Sequence, residues 1–202
     1  MNDPSINPFA TRYTRPGELP YLLPDGLTIA KLVDRLKQQH WRGAIVGPHG
    51  SGKSSLLAAC REEFLKRERI LSEYSLHNHE RTLANLFTNA RSWNDRTLVI
   101  VDGYEQLSWR STLQLAFLVR IRRAGLVVTV HAPTNLPTWY ETVPSAELAE
   151  QVAKLAIHRA LVDPQATQEK LDRETIHAAY HGDGNIRETL FRLYDIWRAK
   201  QS

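Results

Sequence analysis

Apolar residues fall along this chain in two rhythms, and the alternation between them predicts the architecture. Ile29, Leu32, Val33 and Leu36 recur at helical spacing from about Thr28 onward. Residues 43–47, Gly-Ala-Ile-Val-Gly, form a short apolar run, after which Leu56, Leu57, Cys60 and Phe64 mark an amphipathic helix. The pattern then predicts a strand over 69–76, a helix over 81–92, and a strand over 97–102. That last run, Thr-Leu-Val-Ile-Val-Asp, is continuous and rich in β-branched residues, as expected of a strand buried on both faces. A helix over 107–123, a strand over 125–132, a weaker strand over 139–143 and a helix over 146–161 follow. Strands alternating with helices predict an α/β fold, with a central parallel sheet covered by helices on both faces. After Asp163 and Pro164 the periodicity is helical only. Leu171, Ile176 and Tyr180 fit one helix, and Ile186, Leu190, Leu193, Tyr194 and Trp197 stripe another, so 165–202 reads as a small C-terminal helical lid.

Residues 1–26 are rich in proline and glycine and predict an extended arm. The arm also holds Phe9, Tyr13, Leu19, Tyr21, Leu22 and Leu23, too much apolar surface for a free tail, so it is expected to pack on the core over 27–164. A length of 202 residues suits one such domain with a small appendage. The hydrophobic share of 42% and charged share of 24% lie in the normal range of soluble globular proteins, so a buried core is available and disorder is not the expectation. Cys60 is the only cysteine and lies in a helical apolar stretch, which predicts a small core residue in a reducing compartment. The opening MNDPSINPFATR has no apolar signal core, and no run of about 18 apolar residues occurs, so the expectation is a cytoplasmic protein with no membrane span. The net charge of +4 would suit nucleic acid, but the basic residues are scattered and mixed with carboxylates. Nucleic acid is therefore a possible partner that the charge pattern does not favour.

Candidate chemistry concentrates first in Gly47-Pro48-His49-Gly50-Ser51-Gly52-Lys53-Ser54, followed by Ser55. This fits G-x-x-x-x-G-K-[ST] and lies between a predicted strand and a predicted helix, as a phosphate-binding loop requires. Glycines let the loop turn its N–H groups inward, Lys53 would reach the β- and γ-phosphates, and Ser54 would ligate Mg²⁺ at the helix N-terminus. ATP with Mg²⁺ is the ligand this predicts; no convincing N-K-x-D run for guanine is present. Asp102 ends the most apolar strand and takes the second position expected of a metal-shell carboxylate; its plainer alternative is a turn or cap aspartate. Glu105 either orients and deprotonates an attacking water or is an exposed first-turn carboxylate favoured by the helix dipole.

With these motifs the sequence resembles the AAA+ ATPases, or the related STAND-type P-loop ATPases, over most of its length, from the arm to the lid. The implied fold is a P-loop NTPase. In AAA+ proteins the residue directly after Asp102 would be the catalytic glutamate, and here it is Gly103. The run Asp102-Gly103-Tyr104-Glu105-Gln106-Leu107 is closer to the Asp-Gly-x-Asp-Glu-Leu pattern of NACHT-type STAND proteins, which puts the second acid at Glu105. Thr129 and His131 stand where such ATPases carry a polar sensor at a strand end, His131 being the nearer match; a structural histidine is the alternative. Gly184-Asn185-Ile186-Arg187 resembles the glycine-led start of the sensor-2 helix, which implies that Arg187 reaches from the lid toward the γ-phosphate. The base pocket implied by the resemblance would involve Arg15, Pro16, Tyr21 and Leu22. No arginine occurs between Arg123 and Arg159, so an arginine finger of the usual placement is missing. Arg120, Arg122 and Arg123, which come before the strand over 125–132, either substitute for the finger or, the favoured reading, form the polar face and C-terminal dipole partners of their helix.

The resulting expectation is a small ATPase whose nucleotide state changes its grip on a protein partner through the lid. The alternatives are a nucleic-acid-linked ATPase of helicase-loader or transposition-accessory type, and a nucleotide-gated binding module that does not hydrolyse. A small-molecule kinase is less in keeping with a lid at the C-terminus.

Overall fold

The structure, a computed structural model, describes residues 6–76, 80–160, 171–180 and 185–200. It divides into two compact units: Leu23–Gly47 with Cys60–Glu141, and Met1–Leu22 with Pro48–Ala59 and Thr142–Ser202. No helix among the described residues is long and apolar enough to cross a membrane.

The first unit holds the sheet. Strands β1 (Arg42–Val46), β2 (Ile70–Ser75), β3 (Thr97–Asp102), β4 (Gly125–Val130) and β5 (Thr138–Glu141) are all parallel, in the order β2-β3-β4-β1-β5. The five-stranded parallel sheet agrees with the sequence pattern. β4 is buried throughout and β3 up to Asp102, as continuous apolar runs covered on both faces require, whereas the edge strands β2 and β5 carry exposed positions. One face is covered by α2 (Ile29–Gln38), whose Leu32, Val33 and Leu36 are buried and whose N-terminus is capped by the Thr28 hydroxyl accepting the Lys31 N–H at 3.2 Å. On this face the Trp139 indole donates to the Leu32 carbonyl at 2.8 Å, and its ring centroid lies 6.1 Å from that of Phe64. The close approach explains Gly43, where a Cβ would fall 2.6 Å from Trp139 Cβ and 3.1 Å from Leu36 Cδ1. Ala44, Val46, Val99, Val101, Leu126 and Val128 point the other way and pack with Leu86, Ala90, Leu115 and Val119 of α4 (Leu86–Ala90) and α5 (Trp109–Ile121).

Three local expectations are corrected. Only Leu86–Ala90 of the expected helix over 81–92 is helical. Asn85 sits in the left-handed region at φ 55°, and the Arg81 carbonyl is taken by the Ser108 N–H at 3.0 Å and the Ser111 hydroxyl at 2.9 Å, which ties that stretch to the start of α5. β4 ends at Val130, leaving His131 just past the strand, and Leu171 lies ahead of the helix it was expected to join.

The second unit is helical, built from α1 (Thr11–Thr14), the start of α3 (Lys53–Lys66), α6 (Ala146–Arg159), α7 (Arg173–Tyr180) and α8 (Ile186–Ala199). Ala149, Ala153, Ala156, Ile176, Leu190, Leu193 and Trp197 form its apolar cluster together with Phe9 of the arm. The arm is fastened there by an edge-to-face contact of Phe9 with Trp197 at 6.4 Å, by the Trp197 indole donating to the Ile6 carbonyl at 3.2 Å, and by the Asn7 amide donating to the Tyr194 carbonyl at 2.9 Å. Ser145 caps α6 through the Leu148 N–H at 3.1 Å. Asn185 caps α8 through the Glu188 N–H at 3.0 Å.

Candidate functional site

The loop begins where β1 ends. The Gly47 N–H donates to the Val130 carbonyl at 3.1 Å, extending the β1–β4 ladder one step past β1. From β1 the chain crosses to β2 at the far edge, whereas from β4 it passes to β5 on the other side of β1. Such a reversal is the place where open α/β sheets bind ligands, outside the carboxyl ends of the strands.

Within the helical unit, the segment from Pro48 closes on its own backbone. The Pro48 carbonyl accepts both the Ser51 hydroxyl at 2.8 Å and the Lys53 ammonium at 2.7 Å. Gly50 and Gly52 hold φ of 67° and 94°, a left-handed conformation that side-chain-bearing residues resist. Ser51 shares a further hydrogen bond of 2.6 Å with Thr142, and both residues are buried. Lys53, at 8% exposure, is a buried cation at the first position of α3, with Ser54 and Ser55 half-buried in the same turn and His49 exposed on the loop. No carboxylate occurs from Gly47 to Ser55. Backbone N–H groups, an ammonium and hydroxyls make a donor set suited to an anion.

Two of the distant residues singled out in the sequence lie at this loop. The Arg187 N–H donates to the Gly50 carbonyl at 3.4 Å, so the first turn of α8 abuts the loop. Tyr21 stands near Gly52, where a Cβ would lie 3.4 Å from its ring. Asn185, which the sequence reading did not single out for itself, is the tightest neighbour: a Cβ on Gly50 would fall 1.8 Å from its Oδ1. Gly182, Asp183 and Gly184 lie outside the described residues. Arg15 is engaged with Glu18 at 2.7 Å, and its guanidinium, with a smaller contribution from Arg159, holds the Glu18 carboxyl below the usual range.

In the sheet unit, the carboxyl end of β3 gathers the acidic candidates. Val101 is in register with Val128, so the next step sets Asp102 beside Thr129. The Thr129 hydroxyl donates to Asp102 Oδ1 at 2.6 Å and accepts the Gly103 N–H at 2.8 Å. Thr129 therefore orients the aspartate and the turn after it together. Gly103 takes φ 85° ahead of a short 3-10 turn, Tyr104–Gln106, that carries Glu105. Glu105 Oε1 and His131 Nε2 are 3.3 Å apart, with Glu105 exposed and His131 half-buried. Thr129 thus faces Asp102, and His131 faces Glu105. Arg120 is in the last turn of α5, with Arg122 and Arg123 just beyond it. Cys60 is fully buried, and burial, with Glu63 adding to it, pushes its thiol up to about 12.

No family model matches the chain, and no curated protein matches it. Among solved structures, that of C. elegans PCH-2 is similar at a TM-score of 0.39 and 13% identity, over 85% of this chain and 66% of that one. The chain thus spans just under two thirds of the length of that structure. A likeness of that extent says nothing about activity.

Proposed function

We propose that this chain binds ATP with Mg²⁺ through the loop Gly47–Ser54 and works as a small ATPase of the AAA+ or STAND-like kind, coupling its nucleotide state to a protein partner through the C-terminal helices. One observation carries the reading: a buried lysine, Lys53, stands at the start of a helix, in a loop of left-handed glycines with no carboxylate. An ammonium withdrawn from water at such a place suits a polyanionic ligand. The Arg187 backbone at Gly50 supports a part for the lid.

In this reading Lys53 binds the terminal phosphates, and His49, Gly50, Ser51, Gly52 and Ser55 contribute loop donors around them. Ser54 and Asp102 are assigned as oxygen donors to Mg²⁺. Among the described residues no group of three or more His, Cys, Asp or Glu could hold a metal; a magnesium ion held by few protein oxygens and by phosphate does not need one. Bound ATP would supply the phosphoanhydride. Glu105 would orient and deprotonate water, His131 would position Glu105, Arg187 would read the γ-phosphate, and Tyr21 would border the base. The division into arm 1–26, core 27–164 and lid 165–202 belongs to the same proposal.

A second reading, a nucleotide-gated module without turnover, is favoured by two observations. Gly103 directly follows Asp102, and the nearest glutamate, Glu105, faces His131. The test is calorimetric ATP binding with Mg²⁺ beside hydrolysis, on the parent, Lys53→Ala and Glu105→Gln. Binding lost in Lys53→Ala without loss of fold, and turnover lost in Glu105→Gln with binding kept, support the ATPase. Binding without turnover in the parent selects the second reading, and no binding by the parent sinks both.

A further inference from the structure

Helix α5 carries two rows of residues at four-residue spacing. Ser111, Leu115 and Val119 are buried. Trp109, Leu113, Phe117 and Ile121 are 68, 60, 62 and 57% exposed. At about 1.5 Å per residue this second row is about 18 Å long. Single exposed apolar side chains are ordinary, but four large ones in line on one helix make a continuous patch of the kind that marks an interaction surface. Along its flank lies a recess of about 350 Å³ lined by Leu83, Leu86, Phe87, Ser111 and Gln114, and Phe87 is itself 59% exposed.

The charges on this helix are all of one sign. α5 has no Asp or Glu; Arg110 and Arg120 are exposed on it, and Arg122 and Arg123 follow its end. The Arg110 guanidinium lies 5.4 Å from the Trp109 ring centroid, so positive charge sits on the apolar row itself.

We propose that this face docks an acidic amphipathic helix of a protein partner, whose apolar residues at i and i+4 lie along Trp109–Ile121 and whose flanking carboxylates meet Arg110 and Arg120. A second copy of the chain is the wrong occupant. Two-fold antiparallel pairing centred on Leu115 would set Arg110 against Arg120 twice over, because both are five residues from Leu115 and α5 offers no carboxylate to separate them. A phosphate backbone would satisfy the arginines and leave four apolar side chains in water. The inference rests on α5 and its flank alone and is independent of nucleotide binding.

The probe is a labelled synthetic helical peptide of about five turns, with leucines at four-residue spacing and glutamates on the flanks. It is compared with a twin carrying lysine for glutamate and with one carrying glutamine for leucine, by fluorescence anisotropy on the full chain. The glutamate peptide should bind at least about tenfold more tightly than either control. Leu113→Ser with Phe117→Ser should weaken it by about tenfold or more, and both sites are exposed, so the fold should survive. Arg110→Glu with Arg120→Glu should reverse the preference toward the lysine peptide, a readout that a merely damaged fold would not give. Equal binding of the two charged peptides, or none of the glutamate peptide, would overturn the proposal. So would self-association of the parent that Phe117→Ser abolishes, or a DNA oligonucleotide that displaces the peptide.

Discussion

Replacing Thr129 by valine removes one hydroxyl and keeps the side-chain shape. That hydroxyl belongs to a residue 1% exposed, donates to the Asp102 carboxylate at 2.6 Å and accepts the Gly103 N–H at 2.8 Å. A hydrogen bond to a charged group contributes about 1.5–3 kcal/mol and a neutral one about 0.5–1.5 kcal/mol. Both are lost together, which gives roughly 2–4 kcal/mol. Asp102 is half-buried, so water can replace part of what the carboxylate loses, and the lower end, about 2 kcal/mol, is expected. Serine at the same position keeps the hydroxyl, gives up one buried methyl and should cost about 1 kcal/mol. Urea unfolding followed by circular dichroism measures the difference. With a denaturant slope of about 2–3 kcal/mol/M for a chain of this size, valine should lower the midpoint by nearly 1 M, and serine by about half of that. A valine variant as stable as the parent would refute the bridging role. Serine as damaging as valine would show that packing, not the hydroxyl, matters there.

Gly50→Ala should cost about 2 kcal/mol in a thermal melt, because the new methyl strains a left-handed backbone and displaces Asn185 from the N-terminus of α8. Arg187→Ala should narrow the difference in affinity between ATP and ADP, read by calorimetry; unchanged discrimination would remove its γ-phosphate role. Cys60 should resist a thiol reagent at pH 8 until the chain is unfolded, since its thiol is buried and pushed up to about 12. The Glu150 carboxyl is held below its ordinary 4.5 by Lys154 and His177. The stability it gives is therefore present above pH 4.5 and lost as the pH falls through its lowered folded value, and an acid titration of Glu150→Gln should decline less steeply there.

The sheet was legible because buried parallel strands write themselves as continuous β-branched runs: 97–102 and 125–130 needed no partner to be recognised. The loop was legible because its glycines, lysine and serine are contiguous. Contacts between residues far apart in sequence were not. Thr129 was expected, with His131, at a sensor position, but its hold on Asp102 follows from the β3–β4 register, which no local pattern states. Asn185 and Gly50, far apart in sequence, are brought together in the helical unit. On α5 the rows beginning at Ser111 and Trp109 share one period, so periodicity alone could not say which of them faces the sheet. The helix expected over 81–92 shrinks to α4 because Asn85, with its left-handed backbone, stands directly before Leu86.

The helical unit is assembled from three separate stretches of chain, and the loop from Pro48 to Lys53 belongs to it. During synthesis the strands from Arg42 to Glu141 leave the ribosome well before Asn185 and Arg187, the two residues that seat against Gly50. The nascent chain therefore passes through a stage in which its sheet can pair while the loop lacks its closing neighbours. The loop gains these neighbours only once α8 has been made, so a chain cut just before α8 would lack the residues that close on Gly50.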